Sequence, residues 1–306
     1  MRDSAALPSA VVRAAFVDAC TLDVVTPKPG NVSMQSPGHG MRAEQFLASA
    51  EASADALLVP GAPVGQRILD AVSRTRDTVG CNTNLGIVLL VAPLAAALEH
   101  CVAPLSVPTW RASAEHVLAA LDLDDARLAY RAIALANPGG LGDAPEQPVQ
   151  AAPSVGLRDA MRLASERDSI ARQYANGFAD IFETGLTAYL AERARHEPDA
   201  RHAAEAAMLS VFLAVLARWP DSHIVRKHGE ALAQSVTLAA REHEARWRDA
   251  PHRAGSALAT AQLDAWDADL KRRAINPGTS ADLAVATLFV AGCIERAGND
   301  ESHRRA

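Results

Sequence analysis

The sequence predicts an all-α protein, and three observations lead there. Apolar residues recur at three- and four-residue spacing along most of the chain, strand-type alternation is nearly absent, and alanine is abundant while aromatic residues make up only 4%. Over 306 residues, 49% of them hydrophobic and 22% charged, there is enough apolar material for a substantial core. With so few aromatic rings, that core has to come from Ala, Leu and Val on closely approaching helices. Neither an internal repeat nor a break in composition divides the chain, so a single multi-helix domain over residues 1–306 is expected.

Taken in order, residues 10–25 place Val11, Ala15, Ala19 and Leu22 at helical spacing, and this helix has to stop at the TPKPGN stretch of residues 26–31. Pro27 and Pro29 each fix φ at about −65° and push the preceding residue towards extended geometry, while Gly30 permits positive φ. The result is a stiff bend. It is either a plain break between helices or a mount that holds Lys28 towards a phosphate. Residues 43–58 give a second helix through Phe46, Leu47, Ala50, Ala54 and Leu57, and residues 64–72 a third after Pro60 and Pro63. Residues 85–100 are apolar nearly all round, which reads as a buried helix with a kink at Pro93.

Residues 137–156, NPGGLGDAPEQPVQAAPSVG, read as a flexible loop bordering a site or simply connecting two helices. They are not a P-loop, because no strand precedes them and no GK[ST] follows. Beyond them, Met161, Ile170, Tyr174, Phe178 and Ile181 suggest one long helix with Asp168 and Arg172 paired on its polar side. Residues 208–216, 230–247 and 282–293 complete the helical set.

A net charge of −6 and a pI near 5.9 argue against general affinity for nucleic acid or anionic membranes, so any anion site has to be local. Cys20, Cys81, Cys101 and Cys293 form no CxxC pair and sit in apolar surroundings, as reduced core thiols do. The stretch MRDSAALPSAVV lacks a signal-peptide core, and the run from Leu85 to Leu98 is short of a membrane span. A cytoplasmic protein with no membrane partner is expected; a homo-oligomer is compatible with the sequence.

Four short polar stretches fall where apolar helices begin or end: TPKPGN (26–31), CNTNLG (81–86), PDSHIVRKHG (220–229) and NPGTSAD (276–282). Helix N-termini present unpaired N–H groups and partial positive charge, so several of them around one cleft would bind phosphate without a basic protein. Asn82 or Thr83 can cap the helix that follows, and Asn84 can donate to a ligand oxygen. Asp221 or Ser222 starts a helix on which His223 and Lys227 share a face, with Arg226 beside them; a solvated basic face is the plain alternative. Ser280 can cap, and Asp282 opens the closing apolar helix.

The order of these stretches, TPKPGNV, then Gly38–His39, then GxNTNxG, then PDSxxxRKHG, then NPGxSADLxxxTLF, resembles the triphosphoribosyl-dephospho-CoA synthase family over nearly the whole chain. Members with that established activity typically carry TPKPGLVD, GAHxDM and NTHKG. This chain instead has Asn31 after Gly30, Gly40 at the aspartate position, and Asn84–Leu85 in place of His–Lys. The resemblance implies an all-α transferase that joins ribose C1 of ATP to a hydroxyl of dephospho-CoA, releases adenine and keeps the triphosphate. The departures leave open another acceptor, such as a pterin or furan one-carbon carrier precursor, or a non-catalytic subunit.

Such chemistry needs cations for the phosphates and Mg²⁺ with them, a carboxylate near the ribose, and an acid or base. The expected phosphate and nucleotide contacts are Lys28, Asn31, Asn82, Thr83, Asn84, Arg226, Lys227, His228 and Ser280. Asp221, His223 and Asp282 are the catalytic candidates, with Asp221 and Asp282 as metal ligands and Asp23 as a further carboxylate.

Overall fold

A computed structural model describes residues 7–36, 38, 40–102, 104–136, 152–196, 201–250 and 257–305. Among the described residues the chain forms fourteen α-helices and one π-helical turn, with isolated bridges, such as that between Gly38 and Met41, in place of any sheet. The helices are α1 (Ser9–Val25), α2 (Ala43–Leu57), α3 (Val64–Val79), α4 (Leu85–Leu98), α5 (Val107–Ala120), α6 (Leu123–Ala136) and α7 (Leu157–Ala164). They continue with α8 (Ser169–Asn176), the π turn (Asp180–Gly185), α9 (Leu186–Arg193), α10 (Arg201–Arg218), α11 (Ser222–His228), α12 (Glu230–Asp249), α13 (Ala257–Arg272) and α14 (Gly278–Arg305).

Helices α4 and α14 run through the centre of one contiguous core. Every residue of α4 except Gly86 is buried, as a helix apolar on all sides requires. Pro93 sits inside it and has no N–H to donate back to the Leu89 carbonyl. The Tyr174 hydroxyl supplies the missing donor, at 2.6 Å from that carbonyl. One turn further on, the Leu94 carbonyl accepts from the Trp110 indole at 3.0 Å. The Trp110 ring meets Phe182 and Phe289 edge-on, with centroids 6.4 and 5.9 Å apart. The segment Gly278–Gly298 of α14 is long and apolar enough to cross a membrane, but 72% of its apolar window is buried within the bundle, mainly against α1, α4 and α10.

The long helix expected across residues 161–181 is broken in two places. The Asp168 carboxylate accepts from the backbone N–H groups of Ile170 and Ala171 at 2.9 and 3.0 Å, which makes it the cap of α8 and not a mid-helix residue. Gly177, with φ +68°, ends that helix. The expected Asp168 pair with Arg172 does not form. Arg172 pairs instead with Asp180 at 2.8 Å and lies over the Trp219 ring, 4.5 Å from its centroid. Helices α5, α6 and α13 were not singled out by periodicity, although Ser106 and Thr109 form a capping box around Pro108 at the start of α5. Of the loop expected at 137–156, residues 137–151 lie outside the described residues.

Candidate active site

All four polar stretches reach one cleft of about 900 Å³. Asn31 lines it from the first, with Asp23 of α1 just before that stretch, Asn82, Thr83 and Asn84 from the second, His223, Arg226 and Lys227 from the third, and Asn276, Gly278 and Asp282 from the fourth. His223 and Lys227, four residues apart on α11, therefore do share the face turned to the cleft.

The bend at residues 26–31 is built inward. Lys28 is only 1% exposed and does not line the cleft; its ammonium donates to the carbonyls of Asp23 and Thr26 and lies 3.1 Å from the Asp23 carboxylate. The expected exposed phosphate contact is thus a buried counter-ion that also satisfies carbonyls at the end of α1. The prolines fix the return of the chain, and the Asn31 N–H closes the turn on the Lys28 carbonyl at 2.9 Å. Gly30 has φ +79°, and a Cβ there would come within 2.8 Å of the Ile275 carbonyl oxygen, so only glycine lets the bend seat against residues 270–277. Two contacts fasten it: Gly30 N–H to Asp267 at 2.8 Å, and the Asn31 amide to the Asn276 side chain at 3.0 Å.

Asp221 also serves the scaffold. One of its oxygens accepts from the N–H groups of His223 and Ile224, capping α11, and the other accepts from the N–H and the hydroxyl of Ser280 at 2.7 and 2.8 Å. It is 2% exposed and absent from the cleft lining, and with four hydrogen bonds it has little left to offer a metal or substrate. Burial raises its proton affinity, and the hydrogen bonds from Ser280 and Ile224 pull it part of the way back. Ser280 lies inside the first turn of α14 and is no cap. His228 is exposed, does not line the cleft, and its Nε2 sits 3.1 Å from the Ala274 carbonyl.

In the NTN stretch the capping role falls to Asn82, whose side-chain oxygen accepts from the Leu85 N–H at 3.1 Å. Thr83 shares a hydrogen bond with Ser49, and the buried Asn84 amide donates to the Ser53 hydroxyl at 3.2 Å. These side chains line the cleft while being held by α2.

Asp282 is the carboxylate left uncommitted: among the described residues it has neither a hydrogen bond nor an ion pair. It projects from the second turn of α14 over Gly86, where an added Cβ would fall 2.0 Å from its Oδ2. Desolvation holds its carboxyl well above the usual range, followed by repulsion from Asp23, Asp221 and Asp168, which Arg226 only partly offsets. Burial raises Asp23 as well, with Lys28 acting against it. The cleft thus gathers acidic groups opposite Arg226, which pairs with Asp168 at 2.8 Å, and the exposed Lys227.

Among the described residues no group of three or more His, Cys, Asp or Glu side chains is arranged to hold a metal by itself. Mg²⁺ that arrives on a substrate phosphate needs only one or two protein carboxylates, and Asp282 fits that demand where Asp221 does not.

Sequence reasoning missed several lining residues, including Thr75, Arg76, Arg167 and Asp168. Asp168 had a legible signal, a capping aspartate before Ser169 and Ile170. The others belong to ordinary helix ends, and nothing local distinguishes them. Cys81 was expected in the core and lies half-buried on the cleft wall, 3.6 Å from the Gln45 amide nitrogen; all four cysteines are unpaired thiols.

Residues 9–301 match the family model described as ATP:dephospho-CoA triphosphoribosyl transferase. No curated protein matches the chain. Among solved structures, a crystal structure from Archaeoglobus fulgidus, provisionally assigned as a triphosphoribosyl-dephospho-CoA synthase, aligns with a TM-score of 0.61 at 24% identity, covering 80% of this chain and 97% of its own. That likeness establishes the shared fold.

Proposed function

The chain belongs to the ATP:dephospho-CoA triphosphoribosyl transferase family, and from that premise we propose that its cleft transfers the triphosphoribosyl group of ATP to a hydroxyl of dephospho-CoA. The observation that carries this reading is the meeting of all four polar stretches in one cleft that Asp23, Asp282, Arg226 and Lys227 all line. Lys227 and Arg226 bind the triphosphate, which stays on the product. The acceptor oxygen bonds to C1′ of the ATP ribose as the bond from C1′ to adenine breaks, and its electron pair leaves with the base. The hydroxyl proton ends on adenine, with His223 as the carrier between them. Asp23, kept in place by Lys28, supplies negative charge beside the cationic ribose of the transition state. Asp282 would hold Mg²⁺ together with the triphosphate; the ion, when bound, neutralises phosphate charge.

The test is to incubate the purified chain with ATP, Mg²⁺ and dephospho-CoA while following free adenine and product mass. Adenine and adduct should appear in equal amounts, and His223→Gln should slow the reaction by about 100-fold or more. Release of ADP or AMP in place of adenine would rule the reading out. One observation favours a second acceptor class. Asn84 is tied back to α2 and Leu85 is apolar, where established members carry His–Lys, so pterin and furan carrier precursors belong in the same assay.

A further inference from the structure

The cleft has a second half that the four polar stretches do not build. Its walls are the C-terminal half of α3 with Val72, Thr75 and Arg76, the last turns of α6 with Ile133 and Leu135, and α7 with Met161 and Leu163, closed by Phe46 of α2. This half is apolar apart from the hydroxyls of Thr75 and Tyr130 and the cations Arg76 and Arg167. Leu163, 45% exposed, extends this apolar wall to the rim. Thr75 is 3% exposed, and its hydroxyl has no hydrogen-bond partner among the described residues. A helical threonine normally satisfies its hydroxyl on the carbonyl a turn earlier, so an orphan here points to a partner that comes from outside. At the rim stand two exposed cations. Arg76 is anchored to the Leu135 carbonyl, and the Arg167 guanidinium has no hydrogen bond or ion pair among the described residues.

A reaction between two substrates needs a second seat beside the first. We propose that the α3–α6–α7 half of the cleft is the acceptor subsite. It takes a molecule with an apolar arm that carries hydrogen-bonding groups, and with a phosphate group near the reacting hydroxyl. The arm lies against Val72, Leu135, Met161 and Leu163, one of its polar groups meets Thr75, and its phosphate meets Arg76 and Arg167. Dephospho-CoA has these parts: a pantetheine arm with amides, joined by a diphosphate to the ribose. The inference rests on the transferase reading and assigns the second substrate of that same site.

The test measures binding of dephospho-CoA and of ATP with Mg²⁺, separately, by calorimetry on the full chain. Arg167→Glu and Thr75→Val remove side-chain groups that have no partner among the described residues, so both variants should fold, which thermal denaturation checks. Arg167→Glu should weaken dephospho-CoA binding by roughly tenfold or more and Thr75→Val by several-fold, while ATP binding stays within about twofold. Lys227→Met should show the opposite preference. Dephospho-CoA binding that is unchanged in both subsite variants but lost in Lys227→Met overturns the subsite and leaves the transferase reading standing. If wild-type chain binds ATP and does not bind dephospho-CoA, this assignment fails together with dephospho-CoA as the acceptor.

Discussion

Lys28 and Lys227 are chemically identical, and the fold gives them opposite tasks. Lys28 is sealed beside Asp23 at 3.1 Å, and removing one member of a buried ion pair leaves the other charge without compensation. We expect Lys28→Met to destabilise the protein by about 3–5 kcal/mol, measured by urea denaturation. A stability within about 0.5 kcal/mol of wild type would show that the pair is dispensable. Gly86 makes a second residue-scale case. Its missing Cβ is the space the Asp282 carboxylate occupies, so Gly86→Ala has to displace Asp282 or spread α4 from α14. Overpacking of this kind costs about 1–3 kcal/mol. The expected signature is loss of the transferase reaction at a temperature where circular dichroism still reports a folded chain. Retained activity would mean that Asp282 does not have to sit where it does.

Helix α4 shows how an element survives a residue that should break it. Pro93 leaves the Leu89 carbonyl without its helical donor, and Tyr174 from α8 supplies one from the side. Tyr174→Phe keeps the ring and removes only that hydrogen bond, so it should cost about 1–3 kcal/mol as an unsatisfied buried acceptor. Replacing Pro93 with Ala in the same background should recover part of the loss, because the helix regains its own donor; no recovery would refute the link. Between α12 and α13 the imidazole of His243 stacks on Trp266 with centroids 4.3 Å apart. Desolvation and then Arg246 lower its proton affinity, and Glu242 opposes them. A folded-state pKa below the ordinary 6.5 means that this contact contributes fully above about pH 6.5 and loses its contribution as the pH falls. Melting temperature should therefore drop less on acidification in His243→Phe than in wild type. Equal slopes would place the pH dependence elsewhere.

At the scale of the molecule, the site is closed by contacts between the two ends of the chain. Asp267 on α13 accepts from the Gly30 N–H and the Ser36 hydroxyl, both at 2.8 Å, and Lys271 completes the cluster. Asp267→Ala should loosen the bend at residues 26–36 without unfolding the core. Hydrogen exchange would report faster amide exchange at Gly30 and Asn31, with α4 and α14 unchanged; undiminished protection at Gly30 would contradict this. The all-helical class, the helices at the N-terminus, the buried α4 and the four polar interruptions were all legible from the sequence. Helical periodicity and the conformational limits of proline and glycine are local properties, and they fix where a helix can run and where it has to stop. Local signals failed at Asp168, where a capping aspartate inside an apolar pattern was read as one face of a continuous helix.

What the sequence determined by itself is therefore the set of helices and the polar residue types between them. Only the tertiary structure decided which of those residues face the cleft and which support it. Asp221 and Asp282 both stand near helix starts, yet Asp221 spends its oxygens on Ser280, 59 residues away, while Asp282 is left open. Asn31 meets Asn276 across 245 residues, and the apolar half of the cleft draws on α2, α3, α6 and α7. Burial and hydrogen-bond saturation are set by neighbours distant in the chain, and they turn a reactive side chain into a structural one without changing its identity.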